Sequence, residues 1–121
     1  MPNSNQYPPA TTSDLTATIA SSASLSSSAD LGGTTLSGYV MPATWNTADI
    51  TFQGSIDGTN FLDMYDEFGN EISHPVAASR FVALNPVDFA SIRYLKIRSG
   101  TASTPANQAA ERIITLVTRA V

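Results

Sequence analysis

The chain has 121 residues, no cysteine, charged residues at only 13% and a formal charge of −4. That is one domain's worth of chain, and it rules out a disulfide framework, a thiolate metal site and a thiol nucleophile. No apolar run approaches the ~18 residues of a membrane span, and "MPNSNQYPPATTSD" lacks the order of a secretory signal, so a soluble protein made in a reducing compartment is expected.

Residues 1–13 carry Pro2, Pro8 and Pro9 and no apolar period, which predicts an extended arm; residues 14–121 form the body. Within the body, Leu15, Ala17 and Ile19 alternate with Thr16 and Thr18 as in a half-buried strand. The Ser-rich stretch after them reads either as a linker or as weakly built strands joined at Gly32-Gly33, and Ala23 and Leu25 favour strands. "TLSGYVMP" (35–42) is a strand stopped by Pro42. "ADITFQGSI" (48–56) places Ile50, Phe52, Gly54 and Ile56 on one face.

Asp57-Gly58 then predicts a two-residue type I′ hairpin, because both central residues of that turn need positive φ. "NFLDMY" (60–65) returns, a turn follows at Gly69-Asn70, and "EISH" (71–74) is a short strand ended by Pro75. "RFVALN" (80–85) is another strand, stopped by Pro86. In "IRYLKIR" (92–98) the inward face is Arg93, Leu95 and Ile97, leaving Lys96 and Arg98 in water. "PANQAAER" (105–112) is the one place for a helical turn, and "RIITLVTRAV" (112–121) is a closing strand. Short strands about ten residues apart with Gly and Pro turns argue an all-β antiparallel sandwich or jelly roll.

Charge is unevenly placed. Residues 1–79 hold eight carboxylates and no Lys or Arg, whereas residues 80–121 hold six basic groups against Asp88 and Glu111. Dilute blocks of this kind read as acidic early strands pairing with basic late ones inside one fold. The other reading is a two-faced surface that docks on copies of itself or on a lattice.

Chemistry-bearing patterns are sparse. His74 is the one histidine, directly before Pro75, where the backbone is extended and a strand ends. No nucleophile elbow accompanies it. Asp63, Asp66, Glu67 and Glu71 cluster, but around a turn where acidic residues serve turn chemistry, and their spacing is not that of a calcium loop. No phosphate-cradling glycine motif occurs. "RYLKIR" is too little basic surface for nucleic acid in a chain of pI near 4.6. No catalytic residue, cofactor or metal is therefore expected. Trp45 reads either as a sugar-stacking or interface anchor or as a residue closing one end of the core; neighbouring Ala43 and Ala48 favour the core.

Two stretches carry a resemblance. "ITFQGSIDGTNF" resembles the strand and turn of discoidin-like (coagulation-factor C-type) β-sandwiches, and "IRYLKIRSG" resembles a later strand of that family, together covering residues 48–100 or so. The disulfide that often joins that family's ends has no counterpart here. With "LSGYVMPATW", "SIDGTNF" and "RYLKIRSGT", the whole chain also resembles small jelly-roll proteins of tailed-bacteriophage virions. That resemblance implies a non-enzymatic capsid decoration (cement) protein, assembled in the bacterial host cytoplasm. Its partners would be the major capsid protein or other virion subunits, with homo-oligomers on the particle and no nucleic acid or membrane. Tyr7, Pro8, Pro9 and Trp45 are the expected partner contacts. The alternatives are a carbohydrate-binding module that binds a glycan, or a tail, neck or fibre component.

Overall fold

A computed structural model describes residues 15–120. The expected arm, with Tyr7, Pro8 and Pro9, lies outside the described residues.

The body is an antiparallel all-β sandwich. Its strands are β1 (Thr16–Ile19), β2 (Ala29–Asp30), β3 (Thr34–Val40), β4 (Ile50–Ser55), β5 (Leu62–Asp63), β6 (Ser73–His74), β7 (Phe81–Ala83), β8 (Tyr94–Ser99) and β9 (Arg112–Ala120). The first sheet runs β1-β9-β3-β7. The second runs β2-β8-β4-β5, with β6 beside β5 on the same edge of β4.

Period-2 patterning builds the core. Ala17 and Ile19 from β1, Tyr39 from β3, and Ile114 and Leu116 from β9 face Ile50 and Phe52 from β4 and Leu95 and Ile97 from β8. All nine are fully buried. An aromatic group ties the sheets together: Phe52 meets Phe89 edge to face at 4.9 Å and Tyr39 at 6.2 Å.

Several expectations need correction. The stretch 105–112 forms no helical turn. Its backbone bonds go elsewhere, since Gln108 N donates to Ala23 O and Gln108 O accepts from Ser22 N. The buried Gln108 amide completes the tie, donating to Ser99 Oγ and Asn46 O while accepting from Asn46 N and Arg112 Nε. A helical turn occurs instead at Pro86–Phe89, a 3-10 turn capped by the Asn85 side chain, with Phe89 driven into the core. Ile56 does not continue the inward face of β4; the strand ends at Ser55 and Ile56 is 80% exposed.

The Asp57-Gly58 hairpin is not a two-residue turn either. Pairing resumes only at Gly54 with Leu62, so seven residues, Ser55 to Phe61, form the connection. Gly58 has φ of +78°, but Asp57 is not in the left-handed region that type I′ requires. Side-chain caps explain the longer loop. Ser55 Oγ accepts from the amides of Asp57 and Gly58, and Asp57 accepts from the amides of Thr59 and Asn60 and from Asn60 Nδ2. Those bonds hold the Asp57 carboxyl well below the usual carboxylate range, the Asn60 amide contributing most.

Candidate functional site

Two surfaces stand out once the strands are in register. The first is the outer face of the first sheet. Thr16, Thr115, Val40 and Phe81 lie in one row across four strands, and Val117, Gly38 and Ala83 form the next but one. Thr18 and Ile113 pair on the same face. No charged side chain stands in these rows; Arg119, further along β9, bounds them. The ring of Phe81 lies across Gly38, where an added Cβ would meet it at 3.0 Å. Phe81 remains 64% exposed and Ile113 49% exposed.

The outer face of the second sheet is its opposite in character. Arg98 donates to Asp63 at 2.9 Å, to Glu71 at 3.1 Å and to Thr51 Oγ1 at 3.0 Å, and Thr51 donates on to Gly100 O. The expectation that Arg98 stands in water is overturned: it is on the outward side as its parity demands, yet only 6% exposed. Glu71, itself bonded by the amide of Ala102, roofs it over. Gln53 and Arg98 hydrogen bonds hold the Asp63 carboxyl below its ordinary value. With Arg93 bonded to Asp30 at 3.0 Å, acidic residues of the first half pair with basic residues of the second inside one fold.

The second surface is a cleft of about 630 Å3 between residues 65–74 and the turn at 85–88. Tyr65, Phe68 and Val87, with Ile72 further in, give it apolar walls, and Asp66, Glu67, Glu71 and Asp88 give it charge. Asp66 caps its own turn, accepting from the amides of Phe68 and Asn70, and Glu71 is bound to Arg98. The cluster that sequence spacing suggested therefore splits into a turn cap, the ion pairs of Asp63 and Glu71 with Arg98, and a rim residue, Glu67, that makes no side-chain bond among the described residues. Among the described residues no group of three such ligands could hold a metal ion.

His74 lines this cleft and is held from behind. Its Nδ1 is hydrogen-bonded to the Tyr39 hydroxyl at 2.9 Å, its ring stacks on Tyr39, and Phe52 meets it edge-on. Burial lowers its pKa, partly offset by the nearby Asp88 carboxylate, while burial raises the Tyr39 phenol. Trp45 is half-buried against the core, its indole N–H donating to Ala48 O at 3.1 Å.

Sequence reasoning missed Asn85, Val87 and Asp88 as neighbours of the 65–74 segment. Nothing local marks them, because only the packing of Phe89 on Phe52 brings that turn over His74. The strand that carries the uncharged face was legible as a closing strand over residues 112–121, but its outward set, Ile113, Thr115 and Val117, was not assigned from the sequence. Comparison with protein families, curated proteins and solved structures found no match.

Proposed function

We propose that this chain is a non-enzymatic structural protein that works by docking, and specifically a decoration protein of a tailed-bacteriophage head. The observation that carries the docking role is the uncharged outer face of the first sheet. The face mixes Thr with Val, Ile, Phe, Gly and Ala, and Phe81 and Ile113 stand exposed on it with no charge between them, which favours contact with another surface. Strand spacing of about 4.8 Å and a rise of about 3.3 Å per residue make the face roughly 300 Å2. An area of that size gives weak association by itself, which suits a subunit held at many equivalent positions on a lattice rather than a tight solution dimer.

The free edge supports the same reading. Among the described residues β7 pairs only with β3, so alternation of the ladder leaves the backbone groups of Phe81 and Ala83 turned outward. The opposite edge is blunted, since Thr18 of β1 exchanges bonds with Ser27. Potential catalytic groups have structural duties: Tyr39 engages His74, and Arg98 engages Asp63 and Glu71. The head location rests on the resemblance to small virion jelly rolls.

The test is copy number. Purified particles should carry this chain at one fixed ratio to the major capsid protein across preparations. Its absence from particles, or a ratio that drifts with washing, would contradict the decoration role.

A further inference from the structure

We infer that the cleft between residues 65–74 and 85–88 receives a cationic segment of a partner protein, an Arg or Lys side chain flanked by apolar residues. Three observations meet there. Glu67 and Asp88 come from the two opposite walls, and neither makes a side-chain hydrogen bond or an ion pair within the described residues. No Lys or Arg lines the cleft, so nothing inside the site answers their charge. The rim is unusually apolar for a solvated loop: Phe68 is 82% exposed, Val87 76% and Tyr65 55%.

These features fit one class of occupant. A carboxylate on each side suits a guanidinium or ammonium group, whose charge-assisted bonds strengthen in a half-enclosed site where water screens less. Tyr65 and Phe68 offer ring faces to such a cation and apolar contact to the residues beside it. The segment 1–14 is no candidate, because it contains Asp14 and no Lys or Arg. The mould is also firm. Asp66 fixes the Phe68 turn through two backbone amides, and Asn85 caps the turn that carries Val87 and Asp88. The cleft uses none of the residues of the uncharged sheet face, so either surface can fail its test without the other.

The experiment is a titration of the full chain, followed by amide 15N–1H spectra, with the capped peptide Ala-Leu-Arg-Leu-Arg-Ala. The counterpart Ala-Leu-Glu-Leu-Glu-Ala is the control. The Arg peptide should move the signals of residues 65–74 and 85–88, and the Glu peptide should not. The double variant Glu67→Gln/Asp88→Asn should weaken binding by about tenfold or more, the effect of losing one or two charge-assisted bonds. Raising salt to about 0.5 M, where the Debye length is roughly 4 Å, should weaken it too. Since neither side chain holds the fold, the variant's unliganded spectrum should match the native one outside the cleft, and Phe68→Ser provides a second variant expected to weaken binding. Equal response to both peptides, shifts elsewhere, or full binding by both variants would overturn the inference. So would calcium chloride moving the same signals and displacing the peptide, which would mark an ion site. Self-association abolished equally by Glu67→Gln/Asp88→Asn and by Arg80→Gln would assign the cleft to a second copy and likewise overturn it.

Discussion

The hydroxyl of Tyr39 and Nδ1 of His74 sit 2.9 Å apart, hydrogen-bonded, with their rings stacked against the buried end of Phe52. Burial holds the imidazole below its ordinary pKa of 6.5, so the folded chain keeps it neutral where the unfolded chain would protonate it. The contribution is complete above about pH 6.5 and is lost as pH falls, because the unfolded state then binds the extra proton. The depressed aspartates, Asp57 and Asp63 among them, titrate lower and leave this window to His74. Urea midpoints should therefore fall between about pH 7.5 and pH 5.5, and His74→Gln should flatten that fall. An unchanged acid loss in the variant would contradict it.

Arg98 is expected to be the most sensitive charged position. Removing it leaves Asp63 and Glu71 facing each other under a loop, with Glu71 only 19% exposed. Arg98→Ala should destabilise by about 3 kcal/mol, the order seen when one partner of a buried pair is deleted. Adding Asp63→Asn and Glu71→Gln to an Arg98→Met background should recover much of that loss. A loss under about 1 kcal/mol in denaturant unfolding would show the network to be a surface ion pair.

Gly58 is constrained twice. Its φ is +78°, and an added Cβ would lie 3.2 Å from the Tyr94 ring. Gly58→Val should lower stability by about 1–3 kcal/mol even though the turn is not of type I′. Equal stability of variant and native chain would mean that the loop adopts another conformation.

Much of the fold was readable because it rests on parity. Ala17, Ile19, Leu95, Ile97, Ile114 and Leu116 are buried as alternation requires. Parity, however, states only which side of a sheet a residue takes. It could not show that Glu71 and the 100–105 loop would cover Arg98 on the outer side. Nor does it count turn residues. The Ser55, Asp57 and Asn60 caps that lengthen the hairpin loop are written in the sequence, but their bonds compete with ladder pairing and the two-residue turn signal masks them. Asp88 of the cleft had no local signal, since its place depends on a contact between Phe89 and Phe52, 37 positions apart in the chain.

The docking role itself is best tested on the uncharged sheet face. Val117→Asp and Ile113→Asp place a carboxylate on the outer side of β9, where neither displaces a core contact, so the thermal midpoint should stay within a few degrees of the native chain. The same substitutions should reduce the copies retained on washed particles by about tenfold or more, since each desolvates a charge at the contact. Exposed Ser91→Asp, outside both the sheet face and the cleft, should leave retention unchanged. Loss of particle binding in the two β9 variants alone is the result this account predicts; full retention in both would contradict it.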